Sequence, residues 1–221
     1  MSEIINTYEI SNPSTVIAMD RKLFYEKQIE LFDAGLKPTH AVAVINVFLF
    51  NQQGDILLQK RSFDKNHNPG LIDKSIGGHI SAGNEADYTT MIETIQELQT
   101  PSIVLRNRAD FIKSFGLLRN YLETTAVLEH ITTEIYVIPK VFINRKVDIA
   151  NMSYIYFGVY NGRVRPVDRE AKGVLWYSLD ELKQEMGSIP EIFTADLRIY
   201  FEKFEQKMRY FVKEISNKKV S

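Results

Sequence analysis

Ten residues, Ala41-Val-Ala-Val-Ile-Asn-Val-Phe-Leu-Phe50, constrain the fold of this chain more than any others. The run is apolar at every position but Asn46 and rich in β-branched side chains. A strand with one wet face alternates apolar and polar residues. This one does not, so it predicts a buried central strand. It is also far too short to span a bilayer. Asn51-Gln-Gln-Gly-Asp55 reads as a turn, and Ile56 to Arg61 as the returning strand.

Other segments predict the elements around that strand. Ile4 to Ile10 suits a first short strand, closed by Asn12-Pro13-Ser14. Asp20 to Ala34 has a good N-cap in Asp20, one face carrying Tyr25, Ile29 and Phe32, and Gly35 where a helix ends, so it predicts a packed helix. A further helix is expected from Glu85 to Leu98, with Pro101 marking its end. Residues 102–130 are least readable, and Phe111 to Leu118 suits a helix or a strand. Ile131 to Ile143 and Met152 to Tyr160 predict strands, and Asn161-Gly162 a turn. Ser178-Leu-Asp-Glu181 is a capping box opening a short helix that ends near Gly187. From Ala195 to Ile215, apolar residues recur at spacings of four and three, which predicts a long amphipathic helix. Its stripe suits core packing or a homodimer contact. Trp176 is expected in the core. No repeat or linker divides the chain. One domain is expected over 40–190, with an N-terminal extension of a strand and a helix over 1–39 and the C-terminal helix over 191–221.

Composition excludes several functions. With 221 residues, 44% of them apolar, the chain can build a proper core. The formal net charge of −1 argues against a protein that grips nucleic acid by neutralising phosphates. The absence of cysteine excludes disulfides, thiol nucleophiles and cysteine-bound zinc. It also fits a reducing compartment. No basic segment followed by an apolar one opens the chain, so a cytoplasmic protein without a membrane partner is expected.

The stretch with most chemical potential is Ser75-Ile-Gly-Gly-His-Ile-Ser-Ala-Gly83 and the helix after it. Glu93, Gln96 and Glu97 are three and four residues apart, so their oxygens share one helix face. They stand beside glycines whose backbone is accessible. This combination suits a hard divalent cation and a phosphate. A solvated helix face is the plainer alternative, because like charges at this spacing cost only about 0.2–0.5 kcal/mol. Arg61, Lys65 and His67 lie in a polar loop suited either to anions or to solvent. His79 could serve a structural hydrogen bond or a phosphate contact.

The run HAVAVINVFLFNQQGDILLQKRSFDKNHNPGLIDKSIGGHISAG resembles the Nudix superfamily, especially its branch near isopentenyl-diphosphate isomerase, and EAKGVLWYSLDEL is similar to the strand and short helix that close that domain. The resemblance spans roughly 40–185. It implies an α/β fold, an α/β/α sandwich with a mixed sheet. The family's motif, G-x5-E-x7-R-E-U-x-E-E-x-G-U with U aliphatic, is matched at Gly78, Glu93 and Glu97 only. Asn84, Ile92, Thr94, Gln96, Gln99 and Thr100 depart from it. By resemblance Glu93 and Glu97, with Gln96 as a weaker ligand, would hold Mg²⁺ or Mn²⁺ against a diphosphate substrate. Glu170 would be a late ligand or base. Arg61, Lys65, Gly77, Gly78 and His79 would line the phosphate side. The implied activity is metal-dependent cleavage of a diphosphate linkage in a nucleoside diphosphate derivative or related small diphosphate. The alternative is an inactive Nudix-fold protein that binds a nucleotide or a partner protein. An isomerase reading fails because that family's catalytic thiol has no counterpart here.

Overall fold

The computed structural model describes residues 3–142, 145–164 and 171–217. At its centre is β3 (His40–Phe50), buried at every position after His40. Along one edge β3 runs parallel to β9 (Arg145–Val159). Beyond β9 the ten-stranded mixed sheet continues through β8 (Ala126–Phe142) and β7 (Ser102–Leu105). Along the other edge β3 pairs antiparallel with β6 (Ile76–His79) and with β1 (Ile4–Glu9). It meets β4 (Ile56–Arg61) at one pair, Phe50 and Ile56. The hairpin expected from the sequence is therefore closed only at its turn. β4 turns away to pair with β5 (Ile72–Asp73) and β10 (Ala171–Tyr177), and a cleft opens between β4 and β6.

Alternate residues of a strand point to opposite faces, and β3 follows this rule. Ala43, Ile45, Val47 and Leu49 pack with Ala86 and Leu98 of α2 (Ala86–Leu98). On the opposite face Val42 and Val44 pack with Phe24 of α1 (Arg21–Asp33). Phe48 and Phe50 share a cluster with Phe111 of α3 (Arg108–Leu118), Leu182 of α4 (Leu179–Ser188) and Phe211 of α5 (Ala195–Asn217). The expected sandwich is thus present. Asn46, the one polar residue of the run, falls between the α1 and α5 contacts.

Local signals act as expected at several ends. The Asp20 carboxylate accepts from Leu23 N–H at 3.0 Å, and Gly35 has φ of 69°. Ser178 and Glu181 form the capping box. Elsewhere the structure differs. Asn12-Pro13-Ser14 does not end the first strand's pairing but opens β2 (Asn12–Asp20), which among the described residues pairs with β1 alone. An edge strand tolerates proline because the missing N–H faces solvent. The N-terminal segment thus adds two strands and a helix, and β1 belongs to the main sheet. The ambiguous 111–118 segment is helical and capped by Asn107, which accepts from Asp110 N–H. Trp176 is 38% exposed rather than core. The apolar stripe of α5, Leu197, Phe201, Phe204, Met208, Phe211 and Ile215, is buried in the chain's own core, which accounts for it without a second copy. No helix among the described residues is long and apolar enough to cross a membrane.

Gly158 of β9 is closely packed between its neighbours on the sheet. A Cβ there would stand 2.8 Å from both Leu128 Cγ and Leu49 Cδ2. Gly158→Ala should therefore destabilise the fold by about 1–3 kcal/mol through overpacking, read as a lower urea midpoint.

Candidate functional site

The cleft holds a chamber of about 80 Å³, continuous in its lining with an outer recess of about 420 Å³. Arg61, Lys65, His67, Gly77, Gly78 and His79 border both spaces. Glu97 faces the chamber, and Glu93 and Gln96 face the recess. The structure therefore brings together all the candidate residues but one. Glu170 lies outside the described residues.

The glycine pair is required by what lies across it. A Cβ on Gly77 would stand 2.7 Å from Lys74 Cε, and one on Gly78 would meet the Glu93 carboxylate. Lys74 passes through the notch at Gly77 into a buried ion cluster. Its ammonium lies 2.7 Å from Asp196 Oδ2 and 3.2 Å from Asp73 Oδ1. Asp73 also accepts from Thr194 Oγ1 at 3.0 Å and from Arg61 Nη1 at 3.0 Å. Burial alone would lower the Lys74 pKa, but the two carboxylates more than offset it and hold it above the ordinary lysine value. Burial would likewise raise Asp196, and Lys74 holds it below the usual carboxylate range.

A second cation enters from β8. Lys140 is 6% exposed and reaches Tyr25 Oη of α1 at 3.3 Å. It makes no salt bridge among the described residues. Tyr25 Oη is also 2.9 Å from His79 Nε2. Burial first, then Arg21 and Lys140, lower the His79 pKa well below its ordinary value. His67 is pushed down to about 2 by burial, reinforced by Lys140 and Arg61. Both imidazoles are therefore neutral, in a field set by surrounding cations.

The histidines give a pH prediction. A histidine depressed in the fold binds its proton in the unfolded chain first, so its contribution to stability is full above 6.5 and declines as pH falls from there toward about 2. Urea midpoints should fall below pH 6.5, and His67→Phe should flatten that dependence.

On the α2 side, Gln59 Nε2 donates to Glu97 Oε2 at 2.7 Å and to the Ser75 carbonyl at 2.5 Å. Four buried polar atoms on the chamber's lining residues have no hydrogen-bond partner among the described residues. These are Asn46 Nδ2, Asn151 Oδ1, Arg61 Nε and Asp196 Oδ1.

The described residues of the chamber do not by themselves compose a site for a cation. Among the described residues no three His, Asp or Glu side chains converge as a metal-binding set. The chamber's two aspartates are already bonded to Lys74. Among the described residues its lining carries four cations, Arg61, Lys65, Lys74 and Lys140, against three carboxylates, Asp73, Glu97 and Asp196. Such a balance suits an anion.

Sequence reasoning missed Asp73, Lys74, Lys140 and Asp196. A weak signal existed for the first two, because adjacent opposite charges stand between apolar Ile72 and Ile76 directly before the glycines. Lys140 follows Pro139 in a run rich in apolar residues, and Asp196 resembles any first-turn acid of a helix.

Comparison with known proteins agrees with this architecture. A family model described as NUDIX domain matches residues 39–197. An isopentenyl-diphosphate Delta-isomerase of Serratia proteamaculans is 26% identical over 150 residues, covering 68% of this chain and 69% of that protein. One from Pectobacterium atrosepticum is 23% identical over 172 residues, covering 78% and 81%. The crystal structure of DR0079 from Deinococcus radiodurans superposes with a TM-score of 0.59 at 16% identity, covering 91% of this chain and 98% of that one, a likeness of fold.

Proposed function

We propose, from the premise that this chain belongs to the NUDIX family, that its cleft binds a small diphosphate compound through Lys140, Arg61 and Lys65. The observation that carries this reading is Lys140. Burying an ammonium without a carboxylate is costly, and an anion in the chamber would supply the missing charge. The 420 Å³ recess leaves room for the rest of the ligand, such as the nucleoside of a nucleoside diphosphate derivative. The orphaned Asn46 amide supports the same reading, since it offers a buried donor to a phosphate oxygen.

Cleavage of the diphosphate is a second reading, favoured by Glu93 and Glu97, whose carboxylate-bearing residues line the two spaces. The test is a panel of nucleoside diphosphate derivatives, scored for binding by calorimetry and for phosphate release with Mg²⁺ or Mn²⁺. Binding without release supports a binding protein. Release abolished by Glu97→Gln supports a hydrolase. Absence of both would overturn the diphosphate reading. Lys140→Met should weaken binding about tenfold or more, the loss of one charge-assisted hydrogen bond.

A further inference from the structure

We propose that the Lys74 ammonium supplies the fixed positive charge that a divalent cation would otherwise supply, so that the cleft holds a diphosphate with protein cations alone. This rests on the diphosphate-binding reading above.

The argument begins with the oxygens. Magnesium requires near-octahedral oxygen coordination, and it dehydrates reluctantly. Both Asp73 oxygens are occupied, Oδ1 by Lys74 and Thr194 and Oδ2 by Arg61. Asp196 Oδ2 is bound to Lys74, and Glu97 Oε2 to Gln59. Of the aspartate oxygens only Asp196 Oδ1 is left without a partner among the described residues, and it belongs to a carboxylate whose charge Lys74 already balances. A dication approaching it would also approach the ammonium, and like charges repel strongly where water is scarce.

Lys74 is not a mobile surface lysine that could swing aside. It is 7% exposed, held by two aspartates from β5 and α5, and its stem fills the notch at Gly77. An ammonium has three donors. Two go to Asp73 and Asp196, which leaves one for a phosphate oxygen. Arg61 is fixed in the same way, by Asp73 and by the His67 carbonyl at 3.2 Å. Lys140 stands across the chamber on β8. The aspartates thus orient the cations, and the cations meet the ligand.

The experiment is calorimetry of the full chain with inorganic pyrophosphate, once in EDTA and once in Mg²⁺. Binding in EDTA at least as tight as in Mg²⁺ is the expected result. Binding that appears only with Mg²⁺, or tightens about tenfold with it, would overturn the lysine proposal while leaving the diphosphate reading intact. No binding in either buffer would overturn both. Lys74→Met, checked for folding by circular dichroism, should lose about tenfold or more of the affinity in EDTA. A folded variant with undiminished affinity would sink the proposal. If that variant does not fold, the comparison of the two buffers with the unaltered chain still decides.

Discussion

Asp196→Ala is expected to lower the unfolding free energy by about 3–5 kcal/mol, because it leaves the buried Lys74 ammonium short of its nearest counter-charge. The ion pair spans 2.7 Å and both residues are buried. Asp73 cannot replace the lost charge, since it also serves Arg61 and Thr194. Combining the change with Lys74→Met should recover part of the loss, as the two substitutions act on one interaction. The pH dependence has a defined sign. Asp196 is depressed below its ordinary value of 3.8, so its contribution is full above that value and is lost as pH falls through the lower folded value. Urea denaturation should show the gap between unaltered chain and variant closing in strong acid. A variant as stable as the unaltered chain at neutral pH would refute the account of the cluster.

Phe211→Ala should cost a comparable amount, about 3–5 kcal/mol, for an apolar reason. Phe211 is 2% exposed on α5. Its ring centre lies 5.2 Å from Phe111, 5.5 Å from Phe50 and 5.6 Å from Phe157, and the Arg108 guanidinium stands 5.3 Å from it. Its loss opens a cavity between sheet and helix that these neighbours cannot all close. The adjacent Tyr210 is 63% exposed, and Tyr210→Ala should stay within about 0.5 kcal/mol. The contrast, read from urea midpoints, separates packing from helix propensity.

Much of this architecture is legible in the residues, and the exceptions have physical causes. β3 announces itself because burial on both faces demands an unbroken apolar run. The stripe of α5 is equally plain, but spacing alone cannot say which surface covers it. β2 escaped notice because an edge strand, largely exposed, carries little alternation. Glu93, Gln96 and Glu97 could be grouped because they share a helix, and Arg61 and Lys65 because they precede the glycines. Lys140 and Asp196 could not. They come from opposite parts of the chain, and long-range partners of a buried charge leave no local pattern.

Tyr25 of α1 and Asp196 of α5 each bond to a lysine that lines the chamber, Lys140 and Lys74. During synthesis, which proceeds from the N-terminus, Lys74 emerges from the ribosome well before the aspartate that balances it. Until residue 196 clears the exit tunnel, the lysine's best refuge is water, and the α5 side of the sheet lacks its cover. A single helix, α5, thus seals the core and neutralises the cluster together.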